Sequence, residues 1–173
     1  MTRYVLLLRA VNVGGTGKLP MAELRKICAA SGFRNAQTYI ASGNVVCDVD
    51  GTEAEVKAKF QRQMEASLGA STEVFARSAD EIEAIRAANP FREAAPSKVA
   101  VIFLNEVVER NVLEDLRGQK NEEIELSGRE VYVHYPDGMG QSRLRIPGVE
   151  KGTARNINTV TKLSQMANDV PKG

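Results

Sequence analysis

Two strand-length runs without a polar break constrain this chain most. They are Tyr4-Val5-Leu6-Leu7-Leu8, in a predicted strand Tyr4 to Val11, and Val99-Ala100-Val101-Ile102-Phe103-Leu104. A strand with no polar alternation has both faces covered. The signals that follow the two runs are alike. After the first comes a Gly-rich turn over 12–17, then Pro20 opening a helix with Met21, Leu24, Ile27 and Cys28 on its apolar face, stopping at Gly32. Thr38 to Ser42 and Val45 to Val49 read as a hairpin turning at Gly43-Asn44. Thr52 with Glu55 forms a capping box for a helix that carries Val56, Phe60, Met64 and Leu68 and ends at Gly69. Thr72 to Ala76 supplies a closing strand.

A helix from Asp80 to Ala88 runs into Asn89-Pro90, which ends it, and a linker reaches Pro96. The second run then leads to a helix over 111–116, a hairpin of Glu122 to Leu126 and Val131 to Tyr135, and a helix from Asn156 to Met166. The predicted class is α+β, with two ferredoxin-like βαββαβ subdomains, the second lacking its last strand. The expected divisions are 1–78, a helix and linker over 79–97, and 98–173. Both hairpins turn through Ser-Gly, at Ser42-Gly43 and Ser127-Gly128, which points to an internal duplication. In such a sheet the first and third strands are antiparallel neighbours. That predicts the Asn12–Gly15 loop beside the Ser42-Gly43-Asn44 hairpin.

Composition excludes more than it selects. The net charge of +1 is no electrostatic footprint for nucleic acid, although it is unevenly spread. Residues 1–35 carry +5 and 140–173 carry +4, against −8 in between. No apolar run approaches a membrane span, and the first run stops at Arg9 without a cleavage signal, so no membrane partner is expected. Cys28 and Cys47 give neither a disulfide framework nor metal-ligand spacing, which makes the cytoplasm the simplest location. No cofactor and no metal are expected. A single histidine, His134, on an alternating strand argues against a His-based nucleophile system. The third strand, Val45 to Val49, lacks the aromatics that RNA-binding βαββαβ sheets stack on bases.

Three polar segments remain. Gly14-Gly15-Thr16-Gly17-Lys18 lies between strand and helix, but Asn12 and Leu19 break a Walker A loop and Pro20 breaks the dinucleotide fingerprint. Its glycines can still offer backbone N–H groups to a ligand, or simply permit a wide turn. Arg9, late in a buried strand, either ion-pairs in the core or aims at the loop edge. In Gly152-Thr153-Ala154-Arg155-Asn156-Ile157-Asn158-Thr159, an arginine and two asparagines crowd a predicted helix start, where unpaired N–H groups can hold an anion. The same groups would equally cap and dock that helix.

The blocks Val5 to Gly15, Thr38 to Val45 and Thr153 to Val160 resemble, in this order, the bacterial family catalogued as domain of unknown function 1697. The departures are Ile157 where the family often has Trp and Ala41 where it often has Gln. The resemblance implies a cytosolic protein of two ferredoxin-like units and no particular activity. Its motif positions correspond to Arg9, Asn12, Gly14, Gly15, Ser42, Gly43, Asn44, Arg155, Asn156, Asn158 and Thr159. The expected function is binding of a small anionic or phosphorylated ligand, a nucleotide included, at an edge built by the Asn12 loop, the Asn44 hairpin and the Arg155 helix start. The alternatives are a structural or protein-interaction module in which these residues clasp the halves, and weak nucleic-acid binding through the basic termini.

Overall fold

The first apolar run becomes β1 (Thr2–Leu8). In the computed structural model, which describes residues 1–9, 20–39, 43–69 and 72–169, it pairs antiparallel with β3 (Asn44–Val49) on one side and β4 (Val74–Ser78) on the other. With β2 (Arg34–Thr38) the strand order is β2-β3-β1-β4. Tyr4, Leu6 and Leu8 join Val45, Cys47, Val74 and Ala76 in a core with Leu24 and Ile27 of α1 (Met21–Ala30) and Val56, Phe60 and Met64 of α2 (Glu53–Leu68). Phe33 stacks on Phe60 within it, ring centroids 5.9 Å apart. Val5 and Leu7, on the opposite face of β1, are also fully buried, as the unbroken run requires.

The predicted caps of α2 hold. Thr52 accepts from the Glu55 N–H, the Glu55 carboxylate accepts from the Thr52 N–H, and Gly69 ends the helix at φ 74°. The second strand departs from expectation. A strand forms at Arg34–Thr38, ahead of the predicted span Thr38 to Ser42, of which residues 40–42 lie outside the described residues. It is a polar edge strand whose pairing with β3 shifts register between Arg34 and Gln37, so no apolar alternation marks it.

The second run becomes β5 (Val99–Phe103), between β7 (Glu130–His134) and β8 (Thr153–Asn156), with β6 (Glu123–Ser127) outermost. The order β6-β7-β5-β8 reproduces that of the first sheet, and every pairing in both sheets is antiparallel. This corrects the expectation that the second half lacks its last strand. Thr153–Asn156, read as a helix start, is an edge strand paired with β5, and helix α4 (Ile157–Asn168) follows it. Gly152 makes the pairing possible, because a Cβ there would stand 2.6 Å from the Phe103 carbonyl oxygen. The helix predicted over 111–116 is a 3-10 helix, Arg110–Asp115, whose Val112 packs against the core of this unit. Ile102, Val131, Val133, Ile124 and Leu126 pack with Leu104, Ile146 and Val149 on one face of this sheet.

The chain divides into two units, Met1–Glu83 with Leu163–Gly173, and Ala84–Lys162. The division falls within α3 (Ala79–Ala87) and α4. Among the described residues no helix is long and apolar enough to cross a membrane.

Candidate functional site

The motif residues of the first unit gather at one end of its sheet. Antiparallel pairing sets Leu7 opposite Asn44. The Leu8 N–H donates to the Gly43 carbonyl and the Arg9 N–H to the Glu73 carbonyl, both at 3.0 Å. The end of β1 is thus stitched to the start of β3 and to the approach to β4, leaving Arg9 exposed between them. Gly43 adopts φ 81°, a left-handed conformation that glycine takes without a Cβ clash. Asn44 is fully buried, and its side-chain amide donates to the Tyr39 carbonyl at 2.9 Å. The Tyr39 N–H donates in turn to the Asn44 carbonyl at 3.1 Å. Asn44 therefore holds the hairpin closed from inside. Asn12, Gly14, Gly15 and Ser42 lie outside the described residues.

The motif residues of the second unit sit where β8 hands over to α4. Arg155 pairs with Val101 across the sheet. Its guanidinium donates to the Thr153 hydroxyl at 2.6 Å and to the Ala154 carbonyl at 2.9 Å. Burial draws its pKa down to about 10, so it stays protonated near neutrality. Asn156 is the cap of α4, its side-chain oxygen accepting from the Thr159 N–H at 2.9 Å. Thr159 is buried and Asn158 exposed. One of the N–H groups that an anion would use is therefore already taken by Asn156.

The first unit repeats this junction, a correspondence the sequence reading missed. Arg77 in β4 pairs with Val5 of β1, and its guanidinium donates to the Ala76 carbonyl at 2.9 Å. Ser78 then caps α3, accepting from the Glu81 N–H at 3.2 Å while the Glu81 carboxylate accepts from the Ser78 N–H at 2.9 Å. The available signal was Ala-Arg followed by a capping residue, at 76–78 and again at 154–156.

The two cysteines and the histidine are poorly set for nucleophilic chemistry. Cys28 and Cys47 are buried thiols pushed up to about 12 by desolvation, leaving no thiolate near neutral pH. His134 sets Nδ1 3.3 Å from a Glu123 carboxylate oxygen and its ring against Phe91, which reads as a surface pair. Among the described residues no group of three or more His, Cys, Asp or Glu could hold a metal ion.

The chain belongs to the family described as Protein of unknown function (DUF1697), which matches residues 1–132. The sheet end with Arg9, Gly43 and Asn44 lies inside the matched residues, and Thr153 to Val160 lies beyond them. The fold is similar to that of the conserved bacterial protein SP0830 from Streptococcus pneumoniae, with a TM-score of 0.78 and 24% identity over 96% of this chain and 99% of that one. No curated protein matches the sequence.

Proposed function

We propose that this member of the family binds a small anionic or phosphorylated ligand, a nucleotide included, at the end of the first sheet, with Arg9 supplying the charge. The observation that carries this reading is the stitching of Leu8 to Gly43 and of Arg9 to Glu73. It gathers one exposed cation and the ends of two polar, glycine-bearing segments at a single sheet edge, in the part of the chain that matches the family. Ligands commonly sit where loops gather at the end of a sheet.

In the same reading both units are ferredoxin-like, a view supported by the shared strand order 2-3-1-4. Arg155, Asn156 and Asn44 serve as frame, since the hydrogen bonds described for them run to their own strand, helix and hairpin. Those bonds also favour a second reading, that the motif as a whole is structural and function lies in protein contacts.

The test is titration with a panel of nucleotides and sugar phosphates, for wild type and for Arg9→Ala and Arg155→Ala. Binding that Arg9→Ala abolishes without lowering the melting temperature supports the proposal. The absence, at millimolar ligand, of any binding event that depends on Arg9 would overturn it in favour of the structural reading.

A further inference from the structure

An independent cavity lies in the other unit, partly beyond the residues that match the family. It does not rest on the reading of Arg9. A cavity of about 390 Å³ opens between the segments 117–122 and 135–143. That is the low end of the range for small-ligand pockets, roughly 300–1,000 Å³. Its walls are held apart in a fixed way. Arg117 and Arg145 exchange backbone hydrogen bonds at 3.0 and 2.7 Å, closing the base of the loops. Gly118 stands against the second wall so tightly that a Cβ would meet the Arg143 carbonyl oxygen at 2.1 Å.

Glu122 is the pin between the walls. It is 6% exposed, and its carboxylate accepts from the Lys120 N–H at 2.7 Å, the Asn121 N–H at 3.0 Å and the Ser142 hydroxyl at 2.5 Å. The Ser142 oxygen in turn accepts from the Leu144 N–H at 3.1 Å. Those donors, the Ser142 hydroxyl first, hold the Glu122 pKa down to about 2. Such a carboxylate is too weak a base to activate Ser142 as a nucleophile near neutral pH. The pair is therefore architecture, and its negative charge is already hydrogen-bonded.

What the cavity leaves unmatched is positive. Lys120 and Arg143 line it, and among the described residues neither side chain has an ion-pair or hydrogen-bond partner. Tyr135 also lines the cavity; it rests partly on the core beneath, and its hydroxyl has no hydrogen-bond partner among the described residues. The one further acid on the rim, Asp137, accepts from the Asn121 side-chain amide at 3.0 Å.

We infer that this cavity binds a small organic anion bearing a planar ring, with Lys120 and Arg143 holding the phosphate or carboxylate and Tyr135 supporting the ring. Arginine presents a planar fork suited to such oxyanions, lysine a point charge, and tyrosine a flat apolar face with a polar tip.

The experiment is calorimetric titration of the full chain with adenosine monophosphate, ribose 5-phosphate and inorganic phosphate. The variants are Lys120→Ala, Arg143→Ala, Tyr135→Phe, Tyr135→Leu and, as a control for the first site, Arg9→Ala. Lys120 and Arg143 are exposed, so their variants keep the wild-type melting temperature. Adenosine monophosphate is expected to bind more tightly than ribose 5-phosphate. Each cation variant is expected to weaken it about tenfold. Tyr135→Phe retains binding, Tyr135→Leu loses about fivefold, and Arg9→Ala leaves this event unchanged. The absence, at roughly 5 mM of any probe, of a binding event that Lys120→Ala and Arg143→Ala weaken overturns the inference. Equal affinity for adenosine monophosphate and ribose 5-phosphate overturns its ring component.

Discussion

Arg77 and Arg155 occupy the same position in two sheets of the same strand order. Each stands on the last-paired edge strand, each donates its guanidinium to the carbonyl of the alanine before it at 2.9 Å, and each is followed at once by the residue that caps the next helix. Gly43 and Gly128 extend the correspondence to the hairpins, both in the left-handed region at φ 81° and 58°. Shared strand order, shared hairpin glycine and shared Arg-cap junction are what a duplicated unit retains when little residue identity is left.

The two arginines differ in burial, and that difference predicts their weight. Arg77 is 1% exposed, whereas Arg155 is only half-buried. Arg77→Ala leaves a fully desolvated space and orphaned acceptors, costing about 3–5 kcal/mol. Arg155→Ala removes at least the bonds to the Thr153 hydroxyl and the Ala154 carbonyl, in a wetter place, and costs about 1–2 kcal/mol. Thermal unfolding should show a loss of roughly 10 °C for the first and roughly 4 °C for the second. Equal losses would mean that burial does not set the weight of the two arginines.

The caps make a separable prediction. Asn156→Ala and Ser78→Ala each deprive a helix start of its side-chain acceptor and should cost about 1 kcal/mol. The two caps serve different helices, so the double variant should lose about the sum. Asn156→Asp or Asn156→Ser should restore most of the loss by urea titration. An Asn156→Ala variant as stable as wild type would return this residue to the list of ligand contacts.

Much of this was legible locally and some was not. The apolar run at Tyr4 to Leu8 announced a strand covered on both faces, and the Thr52–Glu55 box and Gly69 bounded α2, because those signals act within a few residues. Thr153–Asn156 misled because Thr-Ala-Arg-Asn has no apolar alternation. Its identity as a strand comes from pairing with β5, about fifty residues earlier, and from Gly152, whose missing Cβ lets the chain approach Phe103. The same distance effect hid the cavity. Nothing near Glu122 in sequence announces that Ser142 will donate to it, or that Lys120 and Arg143 will line one space.

Glu122 gives the acid limb of stability a definite sign. Its folded pKa of about 2 lies below the ordinary carboxylate value of 4.5. Its contribution is therefore fully present above about pH 4.5 and is lost as pH falls toward 2. Glu122→Gln should be less stable than wild type at pH 7, and the gap should narrow steadily on acidification. Melting temperatures measured from pH 7 to 2.5 test this. A gap of constant size would mean that the Ser142 and backbone donors do not select the ionised form.

Asn44 separates frame from ligand contact most sharply. Its amide donates to the Tyr39 carbonyl from a fully buried position. Asn44→Asp replaces that donor with a carboxylate facing a carbonyl, a desolvated charge without a hydrogen to share. At pH 7 the cost should be at least about 3 kcal/mol, above the roughly 2 kcal/mol expected for Asn44→Ala. The folded state would favour the protonated acid, which can donate to Tyr39, so the variant's pKa rises above its unfolded value of ~3.9. Stability should then be greatest below that value and be lost as pH increases, opposite in sign to the Glu122 contribution. Melting curves for Asn44→Asp that improve between pH 7 and pH 4 would establish Asn44 as the inner tie of the hairpin. An unchanged melting temperature together with lost nucleotide binding would instead make it a ligand contact.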